Sequence, residues 1–270
     1  MRFFRGHSKA HPCVFEYCAF VRVAVRYTIL CLRARPLTRS FQEIFMRSVF
    51  PLICAGALAV TTGYAKEARS KNQIYFQGHA SLRITTAENK VIYVDPFSGD
   101  GYDIPADLIL VTHGHIDHNK VDLVQSRNEG CKIITHEDAV RNGEHKSFDL
   151  GYVKIEAVEA YNKNHSKENC VGYVLTFSDG VKVYFSGDTS TTEQMPKLKS
   201  RKIDYAFFCC DGNYNMDIAE AARCAKLVGA KHNIAYHMPP DKENPFDREF
   251  AKSFDAQGVI VVAPGETLSL

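Results

Sequence analysis

The run His113-Gly114-His115-Ile116-Asp117-His118 places three imidazoles and a carboxylate within six positions. A metal ion needs lone-pair donors that converge from fixed backbone. His113 and His115 are two residues apart, so an extended segment turns both rings to one side. Asp117 and His118 follow where the chain turns and can address a second ion. The blander alternative is a hydrogen-bonded histidine cluster. Chance, however, yields this pattern on the order of once in a thousand such chains.

Three later residues complete a set. His165 lies in the polar stretch Asn162-Lys163-Asn164-His165-Ser166, Asp188 in Ser186-Gly187-Asp188-Thr189, and His237 ahead of Met238-Pro239-Pro240. Each alone is a weak signal, since a strand-end histidine is often structural and a Gly-Asp-Thr is often only a turn. Together they make five histidines and two aspartates at expected strand ends. Nitrogen and oxygen donors without sulfur suit zinc, and also manganese or iron. Two divalent cations about 3.5–4 Å apart can share one water, lower its pKa toward neutrality and deliver hydroxide to a carbonyl or phosphoryl centre. Asp117 is then the catalytic candidate, orienting that water or taking its proton.

His79, in Gly78-His79-Ala80, is a candidate substrate contact with a structural role as its equal alternative. Asn213 and Tyr214, flanked by Asp211 and Asn215, are further candidates, and the alternative there is a loop that caps the next helix. Asp95 either braces a ligand histidine or forms the turn before Pro96. His136, His145 and His232 are read as non-ligands.

These motifs resemble the metallo-β-lactamase-fold hydrolases: H-x-H-x-D-H, a lone His, a Gly-Asp-Thr-like turn, then a final His. Here they read THGHIDH, NKNHSKEN, SGDTS and AYHMPP, and the resemblance spans about residues 72–270. GHASLRI, the DPF after the third strand and the hairpin leading into SGDT look closest to the branch containing L-ascorbate-6-phosphate lactonase. The resemblance implies an α+β fold, a four-layer αββα sandwich with its site along one edge. It implies one ion on His113, His115 and His165, another on Asp117, His118 and His237, and Asp188 between them. An Asp at 188 in place of a Cys suits two ions. His115 stands where the flavodiiron branch would have Glu, which argues against oxygen or nitric-oxide reduction. The implied activity is hydrolysis of a small ester-like bond, a lactone or phosphodiester, with β-lactamase or thioesterase activity as enzymatic alternatives. The other class is a non-catalytic protein that binds or senses a ligand through its metal; intact donors at all seven positions favour catalysis.

The elements that must carry these residues are short. Strands are expected at 73–77, 81–85, 90–94, 108–111, 132–135 and 152–158. Strands at 172–177 and 181–186 flank the hairpin signal Ser178-Asp179-Gly180. Strand–helix alternation follows: strands at 205–209, 233–236 and 259–262, helices at 216–228 and 247–256. Strands first and strand–helix units later suggest packed sheets with helices outside.

The first 65 residues read as separate from this domain. Residues 1–45 carry eight Lys or Arg against two acids, whereas the rest of the chain is net −4 within an overall +2. A basic targeting arm and a non-native or disordered leader compete for this stretch. Residues 46–65 have the layout of a signal peptide: Met46, Arg47, an apolar run from Val49 to Val60, then Gly63-Tyr64-Ala65. A short membrane anchor or buried helix is the alternative. Start at Met46 and cleavage near Ala65 would place the mature chain in the periplasm or outside the cell; otherwise it is cytoplasmic. The mildly acidic body offers nucleic acid no basic patch, and no run suits stable membrane insertion of the mature chain. A small-molecule substrate is the expected partner, and the assembly state stays open. Of nine cysteines, five follow residue 65, and none shows zinc-finger spacing. Most read as small buried hydrophobes, with a disulfide left open.

Overall fold

The structure is a computed structural model that describes residues 71–239 and 246–270. The leader, signal-peptide and export expectations for residues 1–65 lie outside the described residues.

The chain first lays down β1 (Gln73–Gly78), β2 (Ser81–Thr85), β3 (Val91–Val94), β4 (Ala106–Leu110) and β5 (Arg127–Ile134). Helix α1 (His136–Ala139) and the small hairpin β6 (Val140–Arg141) and β7 (Glu144–His145) follow. Next come β8 (Ser147–Asp149), β9 (Val153–Glu159), β10 (Val171–Phe177), β11 (Lys182–Phe185), α2 (Met195–Leu198), β12 (Tyr205–Cys209), α3 (Ile218–Val228), β13 (His232–Tyr236), α4 (Arg248–Lys252) and β14 (Thr267–Ser269). One six-stranded sheet has the order β14-β1-β2-β3-β4-β5, and the other β13-β12-β11-β10-β9-β8.

Period-two alternation explains how the sheets pack. Ile92 and Val94 of β3 join the core shared with Val153, Ile155 and Ala157 of β9, while Val91 and Tyr93 face a separate outer cluster with Ile109 and Val124. Burial of each such Ile or Leu stabilises by about 1.5–3 kcal/mol. The irregularity between Ala106 and Leu108 of β4 shifts the alternation, so that Ala106 and Ile109 share the outer cluster. The second sheet is covered by α3, which starts at the N-cap Asp217, whose side chain accepts from Glu220 N, and ends at Gly229 with φ +68°. Ala221, Ala222, Cys224 and Ala225 are its buried side, and these small residues let it lie close to β12 and β13. The result is the expected α+β sandwich. No helix among the described residues is long and apolar enough to cross a membrane.

Strand direction decides where the site can be. β3, β4 and β5 run parallel, as do β11, β12 and β13. β1 is antiparallel to β2, and β2 to β3, so β1 ends on the same edge as β3. β9 likewise runs with β11, because both are antiparallel to β10. The carboxyl ends of β1, β3, β4, β9, β11, β12 and β13 therefore lead into His79, Asp95, His113, the His165 loop, Asp188, Asp211 and His237.

Some elements differ from the sequence expectation. The 259–262 run is not a strand; Val259 makes one isolated bridge to Asn233, and the last strand is β14, paired with β1. The helix expected over 247–256 is only α4, with Asp247 capping Glu249 N and Phe250 N. β5 begins five residues before the expected start at 132, because Arg127 pairs with Ala106 ahead of the irregularity that precedes the Leu108–Lys132 pair. Among the described residues all five cysteines are free thiols, four of them buried.

Candidate metal centre

Three loops and two turns bring eight donors together at the strand ends. His113, His115 and His165 form one group whose ligand atoms lie within 4.8 Å of one another. His79, Asp117, His118 and His237 form a second group by the same measure. Asp188 stands between them. Its Oδ2 is 3.9 Å from His113 Nε2, 3.6 Å from His165 Nε2 and 3.4 Å from His237 Nε2, and its Oδ1 is 3.4 Å from His118 Nε2.

Local sequence explains the aim of several donors. Gly187 has φ +62°, and a Cβ there would sit 2.5 Å from the Val171 carbonyl oxygen, so only glycine lets the chain turn Asp188 inward. His79, Asp95 and His237 hold left-handed backbone, with φ +54°, +45° and +46°. Such conformations cost non-glycine residues roughly 1–3 kcal/mol when the surroundings impose them. Here His237 N–H donates to the His79 carbonyl at 2.9 Å and locks two of these residues together.

Four of these rings also face a polar group from behind. Asp95 Oδ2 is 2.9 Å from His118 Nδ1, and Asp95 further accepts from Thr112 N and Thr112 Oγ1, both at 2.7 Å. Asp211 Oδ2 is 3.6 Å from His237 Nδ1. His165 Nδ1 faces Asn162 Oδ1 at 3.0 Å, and His113 Nδ1 faces Thr112 Oγ1 at 3.1 Å. Asp95 thus sits where a ligand-bracing carboxylate should be.

Electrostatics follow from this geometry. Burial pushes the His113 imidazole down to about 2, helped by the positive neighbours His118 and His165. For His118 burial works in the same direction, but the Asp188 and Asp95 carboxylates outweigh it and hold the ring up at about 9. Burial would raise Asp188; His237 and His118 instead hold it well below the carboxylate range. The His79 hydrogen bond, against burial, keeps Asp117 low as well. The buried Asp188 and half-exposed Asp117 carboxylates with their histidines thus form a pocket that favours positive charge.

A divalent cation fits this donor set. His118 Nε2, His237 Nε2 and Asp188 Oδ1 are buried and make no hydrogen bond, although they lie within 3.4 Å of a neighbouring donor. Unbonded buried polar atoms are costly, by about 1–3 kcal/mol each, unless something else satisfies them.

The substrate-contact candidates separate. His79 Nε2 is 3.3 Å from Asp117 Oδ2, inside the donor cluster. Asn213 N and Tyr214 N donate to Asp211 Oδ1, so their loop is braced by that carboxylate, and Tyr214 is 63% exposed. Asn215 does not face outward as a substrate contact; its amide donates to Asp188 Oδ2 at 2.9 Å and to Asp211 Oδ2 at 2.6 Å. Asn162 escaped the sequence reading, although its place three residues before His165 in an Asn-rich turn was a usable signal. His136 lines a cavity beside the first group, and His145 and His232 lie outside both groups of possible ligands.

Comparison with known proteins fits this geometry. Residues 73–237 match the β-lactamase superfamily domain. A UPF0173 metal-dependent hydrolase of Thermococcus onnurineus is 31% identical over 227 residues, 73% of this chain and 99% of that protein. A crystal structure from Parabacteroides distasonis is 32% identical with a TM-score of 0.58, covering 70% of this chain and 92% of that one. Igni18, a metallo hydrolase from Ignicoccus hospitalis, shares the fold at 21% identity and a TM-score of 0.59, over 74% of this chain and 98% of its own.

Proposed function

Given that the chain belongs to the β-lactamase superfamily and, within it, to the UPF0173 metal-dependent hydrolases, we propose that it cleaves a small ester-like bond with two divalent cations. His113, His115 and His165 would hold one cation, Asp117, His118 and His237 the other, and Asp188 would join both. Bound there, the ions would polarise the scissile group and lower the pKa of a shared water toward neutrality. The observation that carries this reading is the set of buried, unbonded atoms on His118, His237 and Asp188, which converge on one place.

The remaining work falls to the chain. Asp95 fixes the ring of His118, and Asp211 places a negative charge 3.6 Å behind His237 Nδ1. Asp117 has one oxygen engaged by His79 and remains half-exposed, so it can align an attacking water or accept its proton. A cavity of about 510 Å³ opens beside His113, His115 and His165, and its other side chains are His136, Glu137, Asn164, Ser166 and Asn169. Among the described residues no apolar side chain lines it. That wall favours a compact polar substrate over one with a long acyl chain, because apolar surface gains nothing by leaving water for polar walls. A hydroxylated lactone or a phosphodiester fits this description, which supports the lactonase-like branch. Zinc suits the donors, as do manganese and iron.

Turnover assays of the metal-loaded full chain on lactones, phosphodiesters, thioesters and β-lactams test the reading. The expected result is chelator-sensitive hydrolysis of a polar lactone or phosphodiester. Tight binding of one compound with no turnover anywhere on the panel would overturn it in favour of a ligand-binding protein.

A further inference from the structure

We infer that His79 is a further side-chain donor to the cation held by Asp117, His118 and His237, a position that the H-x-H-x-D-H pattern leaves unassigned; this rests on the two-cation reading above. The two clusters are unequal. The first has three histidines, while the second has three histidines and an aspartate, with His79 the additional member. His79 comes from the end of β1, three strands along the same edge from the β4 loop that carries Asp117 and His118. Nothing in the local sequence of that loop requires it.

Four contacts fix the His79 ring in the cluster. Its Nε2 lies 3.3 Å from Asp117 Oδ2, a separation ordinary for two atoms that share an ion. Its ring centroid is 3.8 Å from that of His237 and 5.5 Å from that of His118. Phe97 meets its other side edge-on at 5.4 Å. The backbone is committed too: Gly78 has φ +123° and His79 φ +54°, and the His79 carbonyl holds His237 N–H. With Asp188, the second cation then has five protein donors from four separate chain segments. Such a set exceeds the four of tetrahedral zinc and suits an ion that accepts higher coordination, such as manganese or iron.

Cobalt(II) titration of the metal-free full chain tests this, since cobalt absorbs visible light more strongly as its coordination number falls. His79→Gly removes the donor and tolerates the left-handed backbone. The expected result is a stronger visible band for one of the two cobalt equivalents, with affinity at that site down at least about tenfold. His79→Asp keeps a donor and accepts the same backbone, so it should return the band toward the wild-type form. Unchanged band shape and intensity for both equivalents in His79→Gly, even with weaker binding, would overturn the inference and leave His79 as a support for Asp117. A wild-type chain that takes up no cobalt would overturn the two-cation reading itself, a different and separable failure.

Discussion

The two donor clusters on this sheet edge are both rich in histidine but held in different ways. In the first, His113 and His165 are buried while His115 is exposed, and the bracing groups are a threonine hydroxyl and an asparagine amide. In the second, His118 and His237 are buried and their rear nitrogens face the carboxylates of Asp95 and Asp211. A carboxylate behind an imidazole raises its basicity as a ligand and adds negative charge near the ion. The second cluster should therefore bind its cation more tightly and define the fixed half of the site. The first, beside the polar cavity, should be the half that meets substrate.

The largest break in this comparison should come from Asp188, which both clusters share. Asp188→Ala should empty both, and activity should fall by more than the roughly 10–100-fold that loss of an outer bracing partner causes; metal analysis and steady-state kinetics would show it. Asp95→Asn should weaken the second cluster by about 10–100-fold in chelator competition. It should also lower stability by about 1–3 kcal/mol in urea unfolding, because Thr112 and His118 lose matched buried partners. Asn162→Ala removes a neutral brace from His165 and should weaken only the first cluster, by about tenfold, the low end of that range. Equal losses from the Asp95 and Asn162 changes would erase the distinction between the halves. Tyr214→Ala should leave metal content unchanged and stability within about 0.5 kcal/mol, as exposed positions do. A changed KM with those two quantities constant would make Tyr214 a substrate contact.

The legibility of this molecule follows its physics. The β2 and β12 strands could be read to the residue because short β-branched and aromatic runs with turn signals on both sides leave few alternatives. The run Val259-Ile260-Val261-Val262 carried the same composition, yet it stays mostly half-buried and pairs through little more than the bridge at Val259. β14, with only Thr267-Leu268-Ser269, has no apolar signature, and its strand character comes from the free edge of β1. The metal motif could be read because H-x-H-x-D-H is dense and rare. His165, Asp188 and His237 needed the set as a whole to be noticed. His79 and Asn215 were not assignable to the cluster in advance, because their partners are 38 and 27 residues away and only the fold closes those distances; Asn162, three residues before His165, was within reach of the sequence.

Elemental analysis during graded chelation tests the central claim most directly. The account predicts about two divalent cations per wild-type chain, removed in two steps, the first to leave coming from the His113–His115–His165 cluster. It also predicts almost none in Asp188→Ala. A single step, or a wild-type ratio near one that Asp188→Ala does not change, would contradict a site in which Asp188 joins two unequal halves.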